Sequence, residues 1–209
     1  MTKKKAFLGT TETKKRIVDS ISDLAEMVQV TLGPGGRPIL IENDRSVLST
    51  KDGVTVARAY AAEGNIERVV VNAALEICER TVKKVGDGTT TAIVLGAALV
   101  KAGQEFLLKN PGVSPQFLSR ELKRIYTEEI KPQILKMARP IKDLPATESK
   151  EVLMHVATVS ANHDLEIADA VSKAVDFVGE DGMVVAEEGV GNETRVVHEE
   201  GFPFKTGLS

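Results

Sequence analysis

The chain has 209 residues, 42 % apolar and 27 % charged, the balance of a folded globular protein rather than a disordered one. Its 27 basic and 30 acidic residues leave a formal net charge of −3, so nucleic acid and anionic membrane are not indicated as main partners. A single cysteine, Cys78, excludes an internal disulfide and a cysteine-based metal cluster, and fits a reducing, cytoplasmic setting.

Residues 15–32 read as the first helix, with Ile17, Ile21, Leu24, Val28 and Leu32 on one apolar stripe. Gly33 and Pro34 stop it. Residues 38–41 and 46–49 read as two short strands around the polar turn Glu42-Asn43-Asp44-Arg45. Helices are expected over 54–61 and 65–84, and a long apolar helix from Thr89 to about Leu108. Ser114 and Pro115 form a start signal for the next helix, whose stripe Leu118, Leu122, Ile125 and Ile130 is expected to be buried. Pro132 is expected to kink or split it. Residues 140–149 read as a polar connector, 149–158 and 164–178 as helices, and 184–186 and 196–198 as strands. No apolar run approaches the roughly 18 residues of a membrane span, and no signal-type stretch follows Lys3, Lys4 and Lys5.

Three glycine-containing loops sit at helix ends. Gly86-Asp87-Gly88-Thr89-Thr90-Thr91 opens a helix, where free N–H groups and the helix dipole favour an anion such as a phosphate. A carboxylate beside a phosphate needs a divalent cation between them, and Mg²⁺ is bound by one or two carboxylates plus phosphate oxygens. The competing reading is an ordinary helix cap, a common use of Asp and Thr. Three successive threonines, poor for helix propensity, favour the ligand reading. Thr50-Lys51-Asp52-Gly53 sets a cation and a carboxylate before another helix: Lys51 to meet a phosphate and Asp52 to orient a water or a second cation, or else a solvated turn. Thr31-Leu32-Gly33-Pro34-Gly35-Gly36 lays backbone along a nucleotide or only stops a helix. The chain has neither a P-loop nor a G-x-G-x-x-G after a strand. His155, His163 and His198 lack ligand spacing, and Cys78 reads as a small core residue.

In order, Thr31–Arg37, Thr50–Ala57 and Gly86–Ala92 resemble the nucleotide-binding loops of the group I chaperonins. Thr158–Asn162 and Asp181–Val184 resemble that family's intermediate-domain segments, and the likeness covers essentially the whole chain. The resemblance implies a mainly α fold. Residues 1–139 would be the N-terminal part of a helical equatorial ATP-binding domain with a small β-hairpin. Residues 140–200 would be an α+β intermediate segment, and 201–209 the start of an apical domain.

It also implies an ATP-dependent chaperone subunit in a double ring. Thr31, Leu32, Gly33, Pro34, Lys51, Asp52 and Gly53 would line the nucleotide. Asp87 would hold Mg²⁺, and Gly88, Thr89, Thr90 and Thr91 would meet the phosphates. Thr31, Lys51 and Thr90 would hold K⁺, and Asp52 would stand near the γ-phosphate and its water. Its partners would be other subunits, non-native proteins and a co-chaperonin. The family's substrate groove and main catalytic carboxylate lie on segments beyond Ser209, so little ATP turnover is expected of this chain alone. The alternative is a short non-catalytic module that binds or modulates chaperonin rings. Two departures stand out: Gly35 replaces the usual Lys, and 205–209 lacks the family's aromatic.

Overall fold

The computed structural model describes residues 11–33, 35–43, 46–60, 62, 64–161, 163–179, 182–187, 189, 191, 194–199 and 201. The chain forms two compact units, Met1–Lys123 and Arg124–Ser209.

The first unit is helical with one hairpin. Helix α1 (Thr11–Gln29) carries the expected stripe: Ile21, Leu24 and Val28 are buried, and Ile17 packs at its edge. It ends three residues earlier than its periodicity suggests. Thr31 and Leu32 donate backbone bonds to Val28 and Gln29, tightening the last turn before left-handed Gly33, so Leu32 leaves the stripe and is exposed. Strands β1 (Ile39–Asn43) and β2 (Ser46–Thr50) pair antiparallel, with Ile39 opposite Thr50 and Ile41 opposite Leu48. Period two puts Ile39 and Ile41 against the core and leaves Leu40 exposed. Asp44 and Arg45 of the expected turn lie outside the described residues.

Helices α2 (Gly53–Ala59), α3 (Asn65–Val85) and α4 (Thr89–Lys109) follow the expected spans closely. The core joins α1 to all three through Leu24, Val28, Val56, Ala57, Ala74, Cys78 and Ile93. Alanine and cysteine at the crossings let the helices approach closely, and aliphatic residues fill the volume that aromatics take elsewhere. Ile17, Ile21, Val70, Ala74, Ile93 and Gly96 line an apolar groove of about 300 Å³ between α1, α3 and α4. By length and composition, α4 is the one described helix able to cross a membrane, although its apolar residues do not form an unbroken run. Thr89, Ile93 and Ala97 are buried where it packs on α1 and α3, while Leu95, Leu99, Phe106 and Leu108 are exposed.

Arg16 of α1 grips Glu67 of α3 with two nitrogens, Nε at 3.0 Å and Nη2 at 2.6 Å. The glutamate's own backbone N–H, then the guanidinium, hold its carboxyl below the usual range. A depressed folded-state pKa contributes stability above the unfolded pKa and loses it as pH falls through the folded value. Arg16→Met should therefore lower the urea midpoint near neutral pH. The gap from the parent should close once pH falls below the glutamate range; an equal gap at both would deny the clamp its charge dependence.

In α5 (Pro115–Ile125), Ser114 caps the first turn by accepting the Phe117 N–H at 3.1 Å, as its sequence signals. The helix opens into a π turn, Tyr126–Ile130, in which the Lys131 N–H reaches back five residues to the Tyr126 carbonyl. It resumes as α6 (Lys131–Met137). Pro132 has no N–H to give and crowds the carbonyl four residues back, so the turn just before it widens and the helix is split as expected. The stripe is not buried, contrary to expectation. Leu118 lies beside Gly103 and is half-buried like Ile125, whereas Leu122 and Ile130 are exposed. Periodicity marks an apolar face without supplying the layer that covers it.

The connector is shorter than expected. A 3₁₀ turn occupies Ile141–Asp143, and α7 already starts at Ala146 (Ala146–Ser160) because Pro145 is extended and ready to enter a helix. Helix α8 (Leu165–Val178) is capped by Asp164, whose carboxylate accepts from the Glu166 and Ile167 N–H groups at 3.1 Å each. It packs on α7 near Ala157 and Ala168, and Lys150 meets Asp176 at 2.9 Å. The strands expected at 184–186 and 196–198 are not formed. Val184, Val185, Val196 and Val197 are exposed, and two short valine runs that bury so little cannot hold a ladder; His198 of the second run stacks on Phe177 of α8, ring centroids 5.9 Å apart.

Candidate functional site

In chain order the glycine loops are Thr31–Gly36 (loop one), Thr50–Gly53 (loop two) and Gly86–Thr91 (loop three); loop three, between α3 and α4, is shaped by glycine. The Gly86 N–H closes α3 on the Val82 carbonyl, and Gly88 takes the N-cap position of α4 at φ 92°. Space around Gly88 is open, the nearest atom to a Cβ being Thr81 Cγ2 at 3.8 Å, so it is the left-handed backbone that calls for glycine here. A glycine cap has no side-chain oxygen to offer, and among the described residues no side chain caps the first turn, Thr89-Thr90-Thr91. Asp87 is exposed, and its Oδ1 accepts the adjacent Gly88 N–H at 2.5 Å instead. The ordinary cap that the sequence left open is therefore not made. What remains is a helix N-terminus with free donors, a positive dipole end and one carboxylate at its rim.

Loop two is used differently. Asp52 caps α2, accepting from the N–H groups of Val54 at 3.2 Å and Thr55 at 3.1 Å and from the Thr55 hydroxyl at 2.5 Å. Its own N–H donates to Thr50 Oγ1 at 3.0 Å. These bonds fix the orientation of a carboxylate that remains exposed, with Lys51 half-buried beside it.

Loops two and three meet. Gly53 is buried against Thr90. Thr89 is buried too, and its carbonyl lies 3.8 Å from the thiol of Cys78, which donates to it from below. Cys78 is fully enclosed; burial, and then the negative charge of Asp52, push its pKa up. It is thus the core residue expected, but one that lies under the Thr89 carbonyl. Nothing in the sequence signalled that placement.

Loop one closes on itself. The Gly36 N–H donates to the Gly33 carbonyl at 3.0 Å, Arg37 to Val30 at 2.8 Å, and the buried Thr31 hydroxyl to Val28 at 2.8 Å. Leu32 and Gly33 are exposed, and Pro34 lies outside the described residues. These hydrogen bonds stay within the loop and α1, which in turn packs on α2 and α4. Among the described residues no group of three or more His, Cys, Asp or Glu side chains forms a metal cage. A cation held by the lone Asp87 would need ligands from a bound molecule, as Mg²⁺ with a phosphate has.

The chain resembles known proteins over most of its length. The model of the TCP-1/cpn60 chaperonin family matches residues 24–206. The chaperonin gp146 from the bacteriophage EL 2 (Pseudomonas aeruginosa), solved in presence of ATP-BeFx, is 28 % identical with a TM-score of 0.69 in one crystal form, covering 88 % of this chain and 31 % of that one. A second crystal form gives the same identity and TM-score over 89 % and 32 %. A group III chaperonin in the open state is 26 % identical over 81 % of this chain and 32 % of its own, with a TM-score of 0.62. The chain thus spans about a third of the length of the structures it matches. With that family model matching residues 24–206, the chain belongs to the TCP-1/cpn60 chaperonin family.

Proposed function

We propose that the chain is the phosphate-binding part of an ATP-dependent chaperone subunit of the group I type. One observation carries the reading: the N-terminus of α4 is left without a capping side chain, with an exposed carboxylate beside it. Gly88, Thr89, Thr90 and Thr91 offer donors to the phosphates. Asp87 is the protein ligand of Mg²⁺, which when bound would neutralise charge between carboxylate and phosphate. The carbonyls of Thr31 and Lys51 and the Thr90 hydroxyl would serve K⁺. Asp52 would stand near the γ-phosphate, with Leu32, Gly33 and Pro34 along the nucleotide.

We assign residues 1–139 to the equatorial domain, 140–200 to the intermediate domain and 201–209 to the start of the apical domain. The cytoplasm is the setting that the single thiol favours. Other subunits, non-native proteins and a co-chaperonin would be the partners of the assembled machine.

Calorimetric titration of the chain with ATP tests the reading. Binding is expected with Mg²⁺, weaker by about tenfold or more in Asp87→Ala or after chelation. A parent chain that takes up no ATP with Mg²⁺, or one indifferent to Asp87→Ala, would overturn it.

A further inference from the structure

We infer that Gly53 is a positioning residue for Thr90: the space left by its missing side chain is the space in which the Thr90 hydroxyl stands. The inference rests on the nucleotide reading above. Glycine inside a helix costs about 1 kcal/mol relative to alanine, yet Gly53 opens α2. Its backbone lies outside the left-handed region, unlike that of Gly86 and Gly88, so conformation does not require it. Space does. A Cβ on Gly53 would fall 1.9 Å from Thr90 Oγ1, 2.9 Å from its Cβ and 3.2 Å from its Cα.

Neither side can retreat easily. Gly53 is held by the Asp52 cap directly before it. Thr90 lies between buried Thr89 and the first helical bond of α4, from the Ala92 N–H to the Gly88 carbonyl. A methyl group at residue 53 would therefore turn the Thr90 side chain or push α2 off α4. Either way the hydroxyl is displaced by the order of an ångström, enough to forfeit a contact made through it. In this way loop two, which need not touch the ligand through Gly53 at all, sets the geometry of loop three.

The test is MgATP titration and thermal melting of the parent chain, Gly53→Ala, Thr90→Gly, the double variant and Thr90→Ser. Gly53→Ala is expected to weaken MgATP by about tenfold, matching Thr90→Gly, and the double variant no further, because both remove one hydroxyl from one place. Thr90→Ser keeps the hydroxyl and should keep the affinity. The double variant should also melt higher than Gly53→Ala, the obstruction being gone.

A parent that ignores MgATP sinks both readings. A parent that binds and responds to Asp87→Ala while Gly53→Ala binds normally, whatever its melting temperature, sinks only this one. So do affinity losses that add in the double variant, or a double variant that melts or misfolds as Gly53→Ala does.

Discussion

Leu24→Ala is expected to destabilise the first unit by about 2–5 kcal/mol, read as a lower urea midpoint at unchanged slope. Leu24 is fully enclosed, on the α1 stripe between Ile21 and Val28. The core cluster it belongs to draws on three other helices, through Val56, Val71 and Ile93. Removing its branched end takes contacts from all of them at once, and helices anchored elsewhere cannot all move in to fill the gap. Domains are stable by only about 5–15 kcal/mol, so the loss is a large share of what holds the unit together. Leu99→Ala on α4 is the control. That leucine is 59 % exposed, and its truncation should stay within about 0.5 kcal/mol. Equal effects at the two positions would mean that the α1–α4 packing is not the core of this unit.

Gly88→Val should combine a structural and a functional loss. A left-handed backbone costs an ordinary residue about 1–2 kcal/mol, and a β-branched one more. At φ 92° the valine either bears that strain or rotates the peptide that starts α4. The second response turns the first-turn N–H groups away from a bound phosphate, so a loss of about 2 kcal/mol or more should come with MgATP affinity falling by over about tenfold. Gly88→Asn separates conformation from mere bulk. Asparagine tolerates the left-handed region, and with open space around residue 88 it should melt and bind much nearer the parent. Asparagine and valine variants that fail alike would point to crowding by the ligand rather than to backbone strain.

Local pattern carried the helical first unit. The stripe on α1, the glycine punctuation around α3 and α4, and the alternation of Ile39 and Ile41 are each written within a few residues, and each was legible. Burial was not. Leu122 and Ile130 have the right spacing for a core face and stand exposed, since spacing describes one surface and burial needs two. Val184 and Val197 have strand propensity without a ladder, for the same reason.

The candidate site divides along the same line. Asp87 and the three threonines are neighbours in the chain, so their grouping at one helix start could be read directly. The contact of Gly53 with Thr90 and the thiol under Thr89 join separate segments, and no local signal encodes them. In the structure the N-cap position of α4 falls to Gly88, and Asp87 stands outside it, accepting the Gly88 N–H.

The π turn between α5 and α6 has a consequence for helical phase. In the second unit the apolar positions Ile125, Ile130, Ile134 and Met137 step by five, four and three residues. Steps of four and three keep one line on an α-helix, whereas a step of five throws the next side chain well round the axis. The five-residue step falls across the turn that closes from Lys131 back to Tyr126, where the winding is wider by one residue. The surplus residue is absorbed there, and the line resumes. The widened turn thus keeps angle rather than residue count along this helix, one extra residue being taken up without turning the line that follows.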